Sequence, residues 1–237
     1  MTHAPMSMPV PPMPAPGRVL RSPVGLCHAV TALLGFVIVV DLLILAASLN
    51  MRALMDEVAS GGTVDFDEGE ARRADLAMAG TSVLYLVAMV ATATVFIIWF
   101  HRVRQNADVF APDTQRRTAG WAIGAWFIPL ANLWIPRGIA ADVLRASQSN
   151  PYAGAVRYIG LLNAWWGMWV WAAVFDRYAS KRYSKAQDVD AIHDAAGLVA
   201  TGAGFDLVAA VLAILFVRRL TAAQHNKALA GPVMPKN

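Results

Sequence analysis

Along the chain, long apolar runs alternate with short charged intervals, a pattern of whole buried helices rather than of strands or one-sided surface helices. Four runs approach or exceed the roughly 20 residues needed to cross the hydrocarbon of a bilayer: residues 24–49, 78–100, 156–175 and 196–217. Asp41 is the one charge in the first and Asp206 the one charge in the last. The second run ends at Trp99 and passes into His101, Arg102 and Arg104; with no helix breaker before Pro112, its helix is predicted to continue past the membrane surface to about Phe110. Asn150 and Pro151, ahead of the third run, suit a helix start.

Between the second and third runs lies a stretch of a different kind. Residues 120–136 are apolar enough to enter a membrane but are broken by Pro129, Asn132 and Pro136. Pro129 removes the hydrogen bond due to the Ala125 carbonyl, and Pro136 the one due to Asn132. Unpaired backbone costs several kcal/mol per group in hydrocarbon, so the stretch is expected to be a re-entrant or interfacial segment enclosed by protein. Trp165 and Trp169 share a face of the next span, and their indole N–H groups need acceptors. Trp126, Pro129, Asn132, Trp134, Pro136, Trp165 and Trp169 therefore form a candidate groove for a partner helix or a lipid. Residues 138–148 follow as a short amphipathic helix suited to the membrane surface, with Asp142 and Arg145 as a local ion pair.

Composition agrees with the pattern. Hydrophobic residues make up 57% and charged residues 15%, with a mean hydropathy of +0.46, against roughly 45–50% and about 25% in soluble domains. The fold class is an all-α membrane protein: four transmembrane helices, the Pro-broken segment and the amphipathic helix. Residues 1–22 form a Pro-rich tail expected to be disordered, 23–225 the helical transmembrane domain and 226–237 a second polar tail. No signal peptide is expected, since the first apolar run begins only after Arg21 and is too long. The net charge is +4. If residues 120–136 do not cross, 13 of the 20 Lys and Arg fall on the side of the termini. The other seven are Arg52, Arg72, Arg73, Arg177, Lys181, Arg182 and Lys185. If they do cross, the division is even. The asymmetry favours four spans with both termini cytoplasmic. Basic residues so distributed carry no nucleic-acid signature.

Candidate chemistry is sparse. An acid inside a span is a functional-site hypothesis by default, so Asp41 and Asp206, both near mid-bilayer, are candidates for proton or ion coupling. Asp65, Asp67, Glu68 and Glu70 lack the spacing of a calcium loop and read as a solvated acidic loop. Cys27 is the single cysteine, so no disulfide is available. No nucleophile and base, haem motif or metal-ligand spacing is recognisable; no catalytic residue, cofactor or metal is implied.

One resemblance stands out. Trp126-Phe127-Ile128-Pro129, Asn132-Leu133-Trp134 and Pro136, followed by 142–147 and by Trp165-Trp166, resemble the bacterial membrane family catalogued as domain of unknown function 4328; the basic segment 101–110 is similar too. The resemblance covers residues 78–223 and implies several membrane helices, with no activity to carry over. The leading reading is a non-enzymatic interaction or scaffold subunit whose Trp-rich groove receives a partner helix, another copy or lipid. The alternative is a small transporter or channel component using Asp41 and Asp206.

Overall fold

The computed structural model describes residues 19–61, 68–152 and 154–230, and the side chains of all of these except 68–82. The Pro-rich tail up to residue 18, residues 62–67 of the acidic loop and the last seven residues lie outside the described residues; Glu68 and Glu70, expected in that loop, already belong to a helix. Every regular element among those described is helical: α1 (Val24–Ala59), α2 (Glu68–Phe110), α3 (Trp121–Gly124), α4 (Ile135–Ala146), α5 (Ile159–Tyr183) and α6 (Val189–Ala230), with 3-10 turns at Pro112–Thr114 and Ala131–Leu133. Three of them, α1, the 83–110 part of α2 and α6, are long and apolar enough to cross a membrane.

The helices outrun the apolar segments because apolarity marks the depth of lipid, whereas helix ends are set by local backbone chemistry. α1 continues ten residues past Leu49 and stops where Gly61 adopts φ +89°, a left-handed conformation that glycine takes without strain. α2 reaches Phe110 and halts before Pro112. α5 begins at Ile159 rather than 156. Tyr158 sits at φ 63°, clamped by the guanidiniums of Arg157 and Arg219, 4.8 and 5.8 Å from its ring centre. α6 is capped by Asp188, which accepts from the Ala191 N–H at 2.7 Å. It runs on to Ala230, so the polar residues after Thr221 extend a helix rather than form a tail.

α6 is the spine. α1 and α5 each pack along it, α1 also meets α2, and α4 fits between α2 and α5. Between lipid and side chain there is little hydrophobic difference, so close packing and interhelical hydrogen bonds hold such helices together. Ala195, Ala196, Ala200, Gly202, Ala203, Ala209, Ala210 and Ala213 are buried along α6 and let its neighbours approach.

Two expectations are corrected here. α4 is not a surface helix: Pro136, Ile139, Ala140, Asp142, Val143, Leu144 and Ala146 are all buried in the protein, because its apolar face meets α2 instead of lipid. The Pro-broken segment is only half enclosed. Ala122 and Ala125 face inward, whereas Phe127, Leu130 and Trp134 are 72%, 70% and 62% exposed. Much of its backbone is paired by short local bonds, including Phe127 N–H to Gly124 O and Leu133 N–H to Leu130 O. At its apex the Ala131 N–H donates to Pro129 O at 2.8 Å around Leu130 at φ 64°, ψ −44°. That is the rare, strained form of γ-turn. Leu130→Gly should therefore be neutral or stabilising by up to about 1 kcal/mol, read as an unchanged or higher unfolding midpoint in detergent.

Candidate functional site

Carboxyls from three helices gather inside the bundle. Asp41 on α1 and Asp176 on α5 each stand 17 residues into their helix, roughly 25 Å along the axis. Asp206 on α6 is in hydrogen-bonding contact with Asp176, and Asp41 is within electrostatic reach of both. Tyr85, from α2, is within electrostatic reach of all three. Asp41 is 1% exposed, and its Oδ2 has no hydrogen-bond partner among the described residues. Leaving a buried polar group unpaired costs about 1–3 kcal/mol. Two carboxyls in contact attract only when a proton lies between them. Among the described residues no three His, Cys, Asp or Glu side chains converge as a metal-ligand set.

Glycines on α6 make room for this arrangement. Asp176 Oδ1 lies 2.6 Å from the point a β-carbon on Gly202 would occupy, so the carboxyl rests directly on the α6 backbone one turn before Asp206. Five residues earlier, Gly197 takes the guanidinium of Arg52 in the same way. A cavity of about 300 Å³, lined by Met51, Leu54, Met55, Tyr183, Ala186 and Ile192, opens at this end of the bundle. Ser48, buried, lies between Arg52 and Asp41 on α1.

On the other side of the carboxyls the bundle is filled by rings. Trp165 stacks on Phe216 with centroids 4.9 Å apart, and Trp99 meets Phe216 edge-on at 6.1 Å. Trp126 is surrounded by Phe96, Phe100, Trp166 and Trp169 at 5.7 to 6.1 Å. These rings pack against one another. The acceptor expected for Trp165 or Trp169 goes elsewhere: Trp166 donates to Leu133 O at 2.7 Å, and Trp165 turns toward α6. Trp126 Nε1 is buried with no partner among the described residues. Of the candidate groove residues, Trp126, Trp165 and Trp169 thus join an aromatic core. Pro136 is buried in α4, Asn132 is half-buried, and Pro129 and Trp134 face outward.

At the end of the bundle bearing the termini, polar side chains tie α2, α4 and α6. Asn106 Nδ2 donates to Gln224 Oε1 and to Arg21 O; Gln224 Nε2 donates to Val103 O at 2.8 Å and to Ser147 Oγ. Lys227 donates to the carbonyls of Ala146 and Gln148, which close α4. The buried Arg104 donates to Asp108 and to Arg117 O. Trp99 Nε1 reaches Thr221 at 3.0 Å. Asp142 pairs with Arg116, whose Nε lies 3.0 Å from both carboxylate oxygens, and not with Arg145, because its side chain points inward from α4 toward the 115–117 turn. That bond raises the Arg116 pKa above its ordinary value.

Asp41 and Asp206 were visible in the sequence; Asp176, Tyr85, Arg52 and Gly202 were not singled out. Asp176 directly follows the apolar run of α5 and lies on the helical face of Trp165, Trp169 and Ala172, the one signal that pointed inward. A family model described as Domain of unknown function (DUF4328) matches residues 62–222. No curated protein and no solved structure matches the chain.

Proposed function

The chain belongs to the DUF4328 family, and on that footing we propose that it is a multi-pass membrane protein with a proton-handling site, a small transporter or channel component built on Asp41, Asp176 and Asp206. α1, α2, α5 and α6 cross the membrane, with both termini cytoplasmic. α5 is 25 residues long, about 37 Å of helix against a hydrocarbon core of about 30 Å, and it packs along α6, which has the span length.

One observation carries the proposal: Asp41 is buried with an oxygen that has no partner among the described residues, within electrostatic reach of two further carboxyls in hydrogen-bonding contact. A proton added there satisfies an otherwise orphaned acceptor, and its departure restores the charge. Access comes from the end of Arg52, Ser48 and the adjoining cavity, while Trp99, Trp165 and Phe216 close the route toward the cytoplasmic end. The reading as a scaffold with a Trp-rich groove draws less support, since those rings fill their own space.

The test is proton movement in proteoliposomes. The full chain, reconstituted with a trapped pH dye under a potassium diffusion potential, should change internal pH several-fold faster than protein-free vesicles. No protein-dependent change at either sign of the potential would overturn the proposal.

A further inference from the structure

The half of the Pro-broken segment that faces away from the protein has a feature unrelated to the carboxyls. Within fourteen residues it exposes Trp121, Ile123, Phe127, Ile128, Leu130 and Trp134, the last three spanning the strained turn that holds Leu130 outward. Beside it the guanidiniums of Arg116 and Arg117 converge on the start of α4, 3.7 and 3.8 Å from where a β-carbon on Gly138 would stand. Arg137 is the adjacent residue and bonds Asn163 at 2.6 Å. Arg116 is paired with the carboxylate of Asp142. An apolar wedge bordered by three arginines, one of them paired with Asp142, matches one environment: acyl chains beneath anionic headgroups.

We propose that residues 121–137 are a docking surface for anionic phospholipid of the protein's own membrane, on the leaflet nearest the termini. Phe127, Leu130 and Trp134 enter the acyl region, and Arg117 and Arg137 hold phosphate headgroups. Short local backbone bonds through the segment lower the cost of this placement without enclosure by protein. The inference is independent of proton handling, because none of its residues belongs to the carboxyl cluster.

Two measurements decide it. A nitroxide on Phe127→Cys, attached selectively because Cys27 is buried, should in nanodiscs collide with oxygen far more than with an aqueous nickel chelate. Greater nickel access, or immobilisation by contact with a second copy, overturns the proposal. In nanodiscs of equal phosphatidylglycerol and phosphatidylcholine, the extracted protein should retain the anionic lipid preferentially, on the order of fivefold per arginine engaged. That preference should fall toward parity in Arg117→Gln/Arg137→Gln and survive in Arg117→Lys/Arg137→Lys. Equal retention of both lipids by the natural sequence overturns it. If the Gln variant does not fold, the depth and retention of the natural sequence decide alone.

Discussion

Gly202→Val is expected to reduce proton movement at least tenfold while leaving the bundle assembled. A β-carbon at this position would lie 2.6 Å from Asp176 Oδ1 and 3.6 Å from Phe175 Cδ1. The first distance is far inside contact, so the carboxyl must leave the α6 backbone, and the second leaves the ring little room to yield. Once displaced, Asp176 no longer touches Asp206, and the proton-sharing pair is lost. The helix itself gains a few tenths of a kcal/mol at most, since glycine is about 1 kcal/mol poorer than alanine in a helix interior and β-branched valine recovers only part of that. Function and stability should therefore move apart, which a purely structural role for the cluster would not produce. Gly204→Ala is the control: a β-carbon there meets nothing within 4 Å, and flux should be unchanged. Asp41→Asn should also abolish flux, because the amide keeps the carboxyl's shape but has no acid proton to exchange, at a stability cost no larger than the roughly 1–3 kcal/mol of one unpaired buried polar group. Loss of expression in both Asp41→Asn and Gly202→Val would assign the cluster to packing instead.

The features readable from sequence are those in which composition and local backbone chemistry decide. All-helical architecture follows from apolar runs too long for strands, and the break at residues 120–136 follows from two prolines whose missing donors allow no continuous helix. Asp41 and Asp206 stand out because nothing else charged shares their runs. Asp176 does not, because Arg177 and Lys181 follow it and the local pattern reads as a water-facing end. Only packing against Gly202 turns it inward. The cost of bare carbonyls implies enclosure of the broken segment, and the structure leaves it half open because 3-10 and γ-turn bonds pair much of the backbone locally. The pairing of Asp142 with Arg116, 26 positions away, lost out in the sequence to Arg145 three positions away, since separation along the chain says nothing about which face a side chain leaves. Asn106 and Gln224, 118 positions apart, each sit in polar stretches that look solvated, and only the bundle shows that they meet.

That meeting leads to the largest stability effect expected in the molecule. Gln224→Leu should lower stability by about 2–3 kcal/mol, seen as a fall of roughly 4–12 °C in the unfolding midpoint for a chain of this size. Gln224 is 1% exposed and makes three hydrogen bonds, to Asn106, Val103 and Ser147. A leucine fills the volume but leaves an Asn106 N–H, and an acceptor site on each of the Val103 carbonyl and the Ser147 hydroxyl, without their partner. Inside lipid such bonds average well under 1 kcal/mol, because the separated helices find substitute partners. This knot lies beyond the apolar runs, where the unfolded groups are solvated by water, so the full penalty of burying them unpaired applies. Gln105→Leu, an exposed site next to Asn106 on α2, makes the same chemical change without stranding any partner and should shift the midpoint little. If both variants melted together, the knot would contribute nothing specific. A fall confined to Gln224→Leu would identify it as the joint through which α6 fixes α2 and α4, and with them the arginines at residues 116, 117 and 137.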